Sequence, residues 1–180
     1  HCRGSKRRLP VSAIVLTYNE EGNIEPCLRT LVDLVDEILV VDSGSTDRTL
    51  EIARRYTTNI FTHPFENYAQ QRNWCQTALP IRNAWVFHVD ADERVTLELS
   101  MALRRVFWGP ARAATVGILV RRRIEFMGRS MVHGGIYPTY HCRIFQLAHG
   151  RSEDRTYDQQ FLVDGPVVTL EYDLIENTAL

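Results

Sequence analysis

The stretch AWVFHVDADERV, residues 84–95, is apolar over its first half and then carries three carboxylates, Asp90, Asp92 and Glu93. The apolar half is typical of a buried strand. Ligands of an open parallel sheet bind beyond the carboxyl ends of its strands, which is where these carboxylates would lie. If strand alternation persists, Asp90 and Asp92 point the same way, and such a pair suits a hard divalent cation, Mg²⁺ or Mn²⁺. Glu93 falls on the other side of the alternation and is not expected to bind the metal.

Two more apolar runs end in polar clusters. The run VSAIVLTY (11–18) leads into NEEGN, and the run EILVVD (37–42) leads into SGSTD. Because parallel strands end at a common edge, the three clusters are predicted to lie together. Neither a G-x-G-x-x-G loop nor a G-x-x-x-x-G-K-[ST] loop follows the first strand, so no glycine loop is present to cradle phosphates. A diphosphate bound at this acidic edge would therefore need a cation to reconcile the charges.

The rest of the chain first alternates between strands and helices and then changes texture. The spacing of apolar residues predicts helices over residues 22–35, 45–56, 66–79 and 96–107. Ser45 or Thr46 is the expected N-cap of the second helix. Further strands are predicted over 59–63, 115–126, 140–147 and 165–175. The pattern indicates an α/β fold, a mixed, mostly parallel sheet with helices on both faces and a partly antiparallel extension.

Composition limits the class of protein. The 180 residues are 44% hydrophobic, enough for one domain, which we predict over 11–180 after a flexible basic lead-in over 1–10. A net charge of −1 gives no indication of a nucleic-acid partner. The four scattered cysteines are predicted to be free thiols in a reducing compartment. Because the chain opens with His1 and its first methionine is Met101, we expect a fragment that is truncated at the C-terminus as well.

Three motifs together resemble a known family. SAIVLTYNEE (12–21), EILVVDSGSTDRT (37–49) and WVFHVDADE (85–93) resemble, in order and spacing, the family 2 glycosyltransferases, which have the GT-A fold. The branch most similar to this chain contains lipopolysaccharide-core β-1,4-glucosyltransferases. The resemblance implies inverting transfer of a sugar from a nucleotide-sugar, commonly a UDP-sugar, to an acceptor hydroxyl. It covers roughly residues 11–175.

The resemblance also assigns residues to the donor site. Asp92 would be the main metal ligand, with Asp90 near the ribose and the metal. Asp42 would contact the base, although many members have two acidic residues where this chain has Asp42-Ser43. The remaining nucleotide-sugar contacts would come from Thr17, Tyr18, Asn19 and Glu20 after the first strand and from Arg72 and Asn73 in the QRNW segment. A solvated helix face is the alternative interpretation of the Arg72-Asn73 pair.

The catalytic base is expected C-terminal to the DADE segment. GRSEDRTYDQQF (150–161) resembles the Glu-Asp motif of the family, in which the Asp is the base. Asp154 is therefore the predicted base, Glu153 would orient the acceptor, and Arg155 could pair with acceptor or phosphate. A polar turn held by Asp–Arg pairs is the alternative.

Two further segments are candidates for the acceptor side. The arginines at 121–123 either protect a sheet edge or form a basic rim for an anionic acceptor or lipid headgroups. The segment with His133, Gly134, Gly135 and Tyr137 is suited to a mobile acceptor loop.

The sequence thus predicts a metal-dependent glycosyltransferase that uses a nucleotide-sugar donor and a glycan or glycolipid acceptor. We expect it at a cytoplasmic location, with peripheral contact to the inner face of the membrane left open. A metal-dependent nucleotidyltransferase is the rival enzyme, since it also places paired aspartates at a strand end. A nucleotide-sugar-binding fragment without turnover is the rival of another class.

Overall fold

A computed structural model describes residues 7–135, 137–154 and 160–178. The strands are β1 (Leu9–Thr17), β2 (Val35–Asp42), β3 (Ile60–Thr62), β4 (Trp85–Asp90), β5 (Glu93–Val95), β6 (Gly117–Phe126), β7 (Arg129–Ser130), β8 (Thr139–Gln146), β9 (Gly150–Ser152), β10 (Phe161–Val163) and β11 (Val167–Asn177). The helices are α1 (Ile24–Leu31), α2 (Thr49–Ala53), α3 (Tyr68–Ala78) and α4 (Leu97–Trp108).

One large sheet organises the molecule, with strand order β3-β2-β1-β4-β8-β6-β11-β5 and β7 paired to β6. Strands β3, β2, β1 and β4 are parallel, whereas β8 runs antiparallel to both of its neighbours, β4 and β6. Strand β11 is parallel to β6 and antiparallel to β5. Strands β9 and β10 form a separate two-stranded sheet. The predicted α/β fold, with its antiparallel extension after residue 110, is confirmed.

Strand alternation separates two cores, one on each face of the sheet. Val11, Ala13 and Val15 of β1 face the cluster that contains the buried sides of α1, α2 and α4. Ile14 and Leu16 face the other cluster, which α3 covers. Each helix of the parallel half therefore packs its apolar stripe on the sheet and leaves the strand ends open. Within the described residues, every helix is too short or too polar to cross a membrane.

Two predicted boundaries near the N-terminus are wrong. Leu9 is buried at the start of β1, and its N–H donates to the Leu34 carbonyl at 2.8 Å, so the first strand begins two residues before its predicted start at Val11. Val35 belongs to β2 and not to the preceding helix. In both cases tertiary pairing extends a strand into residues whose local pattern suggested a loop or a helix.

The second helix is much shorter than predicted, since α2 spans only Thr49–Ala53. Ser45 and Thr46 do not cap it. The Ser45 hydroxyl accepts a bond from the Asn19 N–H at 2.8 Å, and the Thr46 N–H donates to the Asn19 side chain at 2.8 Å. These groups connect the loop after β2 to the loop after β1, and so they are not available to begin a helix.

The three consecutive arginines lie on β6, which is an interior strand between β8 and β11. Protection of a sheet edge is therefore the wrong interpretation. The other interpretation, a basic rim for an anionic acceptor or lipid headgroups, stays a prediction, although each arginine pairs with a carboxylate. Arg121 and Arg123 contact Asp173 of β11, at 2.6 and 3.0 Å, and Arg122 contacts Glu176 of the same strand. Two carboxylates of the neighbouring strand therefore compensate part of the charge of the three arginines, and Glu125 of β6 itself also pairs with Arg123.

Candidate active site

The predicted polar clusters meet at one edge of the sheet. Strand β1 lies between β2 and β4, and the register places Thr17 opposite Asp42 and Leu16 opposite Asp90. The carboxyl ends of the three strands are thus level with one another. The expectation that their polar residues share an edge is confirmed.

A cavity of about 1010 Å³ opens at this edge. Its lining includes the predicted site residues Thr17, Tyr18, Glu20, Arg72, Asp90 and Asp92. Within the described chain, the Thr17 hydroxyl and the Nε of Arg72 are buried and have no hydrogen-bond partner. Buried polar groups are normally paired, so two unpaired ones in a cavity wall indicate a polar ligand.

Asp90 is held between two arginines. The Nη2 of Arg72, in α3, donates to both carboxylate oxygens of Asp90 at 3.2 and 3.3 Å, and the Nη2 of Arg143, in β8, lies 3.5 Å away. Burial acts to raise the pKa of Asp90, but the charges of Arg72 and Arg143 outweigh it and hold that pKa below its ordinary value. Asp90 is therefore an ionised carboxylate.

Glu93 lies behind Asp90. It is 1% exposed, forms an ion pair with Arg143 and accepts a hydrogen bond from the backbone N–H of Asp90 at 2.8 Å. Burial raises the pKa of Glu93, and Arg143 opposes that rise. Its oxygens are engaged here and it is not part of the described cavity lining, so Glu93 supports the Asp90 backbone; that it does not bind the metal stays a prediction.

Asp92 is the carboxylate of the cavity wall whose pKa is raised most strongly. Burial and the carboxylates of Asp90, Glu93, Glu176 and Glu20 raise the pKa of Asp92 to about 8. Such an excess of negative charge around a half-buried carboxylate is what a bound cation would relieve. Among residues 7–135, 137–154 and 160–178, no group of three His, Cys, Asp or Glu side chains is arranged to hold a metal by itself.

The donor set nevertheless fits a hard divalent cation. Mg²⁺ is usually held by one or two carboxylates, and its other positions go to water and to phosphate oxygens of the substrate. Asp92 supplies one such carboxylate, and Asp90, whose oxygens also accept bonds from Arg72, lines the same cavity. That these two residues bind the metal stays a prediction.

Asp42 and Asn19 organise the loops at this edge and are not part of the described lining. The Asp42 carboxylate accepts bonds from the N–H groups of Gly44 and Ser45, at 3.0 and 2.9 Å, and from the Ser45 hydroxyl. A carboxylate has about four acceptor positions, so roughly one remains for a ligand. Asn19 has φ +50°, a conformation that asparagine tolerates, and its side chain bonds the loop after β2.

Asn73 points toward β9 and is not part of the described cavity lining. Its side-chain amide donates to the Ser152 carbonyl at 3.2 Å, and its side-chain oxygen accepts from the Ser152 N–H at 2.9 Å. The sequence predicted that Asn73 contacts the nucleotide. In the structure, its side chain links α3 to β9. Its position is thus one step removed from the donor.

The predicted base lies beside the cavity. Glu153 is half-buried, with its N–H bonded to the Gln160 carbonyl at 2.8 Å, and Asp154 is exposed. Neither belongs to the described lining, but Gln160 and Phe161, on the opposite arm of the β9–β10 pair, do. Arg155 lies outside the described residues.

Sequence reasoning missed three residues of the site. Arg143, in the middle of β8, carries no local signal because its partners are distant in sequence. Glu176 lines the cavity and pairs with Arg122; β11 ends at the same edge as β4, so the rule that located Asp90 could have found Glu176 too. Phe161 places its ring under the Arg72 guanidinium, 5.2 Å from the ring centroid.

Comparison with known proteins agrees with this geometry. The profile of glycosyl transferase family 2 matches residues 12–153. The lipopolysaccharide core biosynthesis glycosyltransferase LpsC of Rhizobium meliloti is 30% identical over 151 residues, which cover 80% of this chain and 53% of LpsC. An uncharacterized glycosyltransferase of Rickettsia bellii is 33% identical over 97 residues, which cover 54% of this chain and 32% of that protein.

Solved structures share the fold. The crystal structure of S. aureus TarS 1–349 superposes with a TM-score of 0.50 at 22% identity, over 77% of this chain and 47% of that chain. At this identity the superposition establishes the architecture and nothing about substrate. The chain spans between about a third and a half of the length of the relatives named above.

Proposed function

The chain belongs to glycosyl transferase family 2 and has the GT-A fold, and on that premise we propose that it is a metal-dependent inverting glycosyltransferase. Its donor is a nucleotide-sugar, of which a UDP-sugar is the first candidate. The name of the relative LpsC supports a sugar hydroxyl of a cell-envelope glycolipid as the acceptor. A cytoplasmic location with peripheral contact to the inner face of the membrane is consistent with such an acceptor.

One observation carries the proposal. The half-buried carboxylate of Asp92 lines the same cavity as the Arg72 guanidinium and the unpaired Thr17 hydroxyl. A cation site beside hydrogen-bond donors is complementary to a diphosphate. A dinucleotide or P-loop enzyme would instead use a glycine loop, which this edge lacks in sequence.

The donor half of the reaction uses residues of the strand ends. Thr17, Tyr18 and Glu20 hold the nucleoside part, Asp42 contributes its remaining acceptor position, and Asn19 fixes the loop that carries them. Arg72 places its positive charge beside the diphosphate, with its position fixed by the bonds to Asp90. Asp92 and Asp90 would hold Mg²⁺ or Mn²⁺, which neutralises the charge of the leaving diphosphate when it is bound.

The acceptor half requires a base. Asp154 takes the proton of the acceptor hydroxyl while that oxygen bonds to the anomeric carbon from the face opposite the diphosphate. The bond between the anomeric carbon and the diphosphate oxygen breaks, so the nucleoside diphosphate leaves and the configuration inverts. Glu153 orients the acceptor. The exposure of Asp154 leaves its carboxylate accessible to an acceptor that enters from solvent.

The test is a panel of nucleotide-sugars with Mn²⁺, in which calorimetry measures binding and a coupled assay measures nucleoside diphosphate release. Metal-dependent release with wild-type protein, lost in Asp92→Asn, supports the proposal. Asp33→Asn is the matched control, because the Asp33 side chain is 92% exposed and distant from the strand ends; it should retain release. Binding without release would favour a non-catalytic module. Binding of nucleoside triphosphates alone would favour a nucleotidyltransferase and refute the proposal.

A further inference from the structure

The turn between β6 and β7 carries an apolar residue where the backbone favours asparagine or glycine. Its two central residues, Met127 and Gly128, have φ +49° and +74°, as in a type I′ turn. Methionine rarely adopts this left-handed conformation. Packing of the side chain does not compensate for the strain, because Met127 is 74% exposed. A strained, exposed apolar residue that does not stabilise the fold indicates a role in binding.

Met127 is part of a larger apolar surface. Phe126, Met131 and Val132 are 44%, 45% and 38% exposed, and with Met127 they form what we call the apolar tip. Single exposed apolar residues are ordinary on protein surfaces, but four within one short hairpin are not.

The charge around the apolar tip is neutral to positive. Residues 126–138 contain no Asp or Glu and include the exposed Arg129. The adjoining carboxylate, Glu125, is paired with Arg123 at 3.3 Å. Exposed apolar side chains beside a basic residue, with the adjoining carboxylate already paired, are compatible with the headgroup region of an anionic bilayer.

The apolar tip lies on the same side of the molecule as the cavity. Strand β6 is parallel to β11 and antiparallel to β8, which is antiparallel to β4, so β6 and β4 end at a common edge. Arg122 of β6 lines the cavity, and β6 ends four residues later, at Phe126. Further along the chain, the Tyr137 hydroxyl donates to Asp173 of β11 at 3.1 Å, and this bond connects the segment after the apolar tip to the sheet.

We propose that the apolar tip inserts into the surface of an anionic phospholipid bilayer and keeps the cavity near the headgroups. Delivery of a glycolipid acceptor to the cavity rests on the proposed function, whereas the membrane contact itself does not. A protein partner fits less well. Stable protein interfaces use roughly 20–30 residues a side, and a hairpin with four apolar side chains offers much less.

The experiment is co-sedimentation of the 180-residue chain with vesicles of phosphatidylcholine alone or mixed with phosphatidylglycerol. The wild-type chain should bind the mixed vesicles. Met127→Asn should lower the partition coefficient roughly tenfold, because a methionine side chain no longer leaves water. Its melting temperature should stay equal or rise, because asparagine tolerates the left-handed conformation. Met101→Gln is the matched control, since Met101 is 48% exposed on α4, away from the tip, and should bind as wild type.

Several results would overturn the proposal. The proposal fails if Met127→Asn binds the mixed vesicles as well as the wild-type chain does. It also fails if the wild-type chain binds both kinds of vesicle equally and Arg129→Gln has no effect on binding. A lipid-free dimer that Met127→Asn converts to a monomer would identify a second copy as the occupant. The two proposals fail separately. If the chain binds vesicles but releases no nucleoside diphosphate, the membrane proposal stands and the glycosyltransferase proposal fails. If it releases nucleoside diphosphate but does not bind vesicles, the glycosyltransferase proposal stands and the membrane proposal fails.

Discussion

Arg143 offers the sharpest test of how the site is held together. The side chain is 7% exposed and pairs with Glu93, which is 1% exposed, and with Asp90 at 3.5 Å. Arg143→Met keeps an unbranched apolar stem but leaves the Glu93 carboxylate buried without its cation. Removing one partner of a buried ion pair costs about 3–5 kcal/mol, a large part of the roughly 5–15 kcal/mol that stabilises a domain.

The measurement is urea unfolding followed by circular dichroism, with the free energy of unfolding extrapolated to water. The matched control is Arg48→Met. Arg48 pairs with Glu51 at 3.0 Å, but both side chains are more than half exposed, at 64% and 57%. Loss of such a surface pair costs at most about 1 kcal/mol. The difference between the two variants isolates the effect of burial.

A double-mutant cycle then tests the cause. Glu93→Gln removes the charge but keeps an oxygen that can accept the Asp90 N–H bond. Combined with Arg143→Met, it removes the stranded carboxylate, so the double variant should be more stable than the sum of the single losses predicts, by about 1–3 kcal/mol. If Arg143→Met costs no more than Arg48→Met, or if the single losses simply add, the reasoning from the buried pair is refuted.

Three further variants test other parts of the structure. Asp154→Asn should abolish transfer to an acceptor while calorimetry still detects donor binding, and unchanged transfer would refute its role as base. Asn73→Ala removes two hydrogen bonds to Ser152 and should lower the free energy of unfolding in urea by about 1–2 kcal/mol. Because Asn73 holds β9 and does not line the cavity, the variant should lower the transfer rate more than the donor affinity. An equal effect on both would contradict this role of Asn73. Gly150→Ala should lower the melting temperature, because a Cβ there would lie 2.2 Å from a ring carbon of Phe145, and an unchanged value would show that the ring can move at no cost.

The parallel half of the fold could be predicted because its signals are local. Short apolar runs identify buried strands, helical spacing identifies α1, α3 and α4, and the rule for strand ends places Thr17, Asp42 and Asp90 at one edge. The same rule predicted three of the carboxylates that line the cavity, Glu20, Asp90 and Asp92, whereas Glu176 was missed. Local propensity and tertiary structure agree in this part of the chain.

The rest depends on contacts between residues that are distant in sequence. The pairing of Arg122 with Glu176, 54 positions apart, is one of the contacts that compensate the charge of the arginines on β6. The bonds between the loops after β1 and β2 shorten α2 by engaging Ser45 and Thr46. Neither outcome follows from periodicity, because the partner of a charged residue is set by which strands become neighbours.

The fastening of β9 to α3 has a kinetic consequence. The Asn73 side chain forms two hydrogen bonds with the Ser152 backbone, and the preceding residue, Arg72, lines the cavity. Any adjustment of α3 when a donor binds is therefore passed to β9, and the proposed base, Asp154, lies two residues beyond Ser152. We expect the proposed base to reach its working position only once the donor is bound. A chain built in this way should add its substrates in a compulsory order, with the nucleotide-sugar first and the nucleoside diphosphate last to leave.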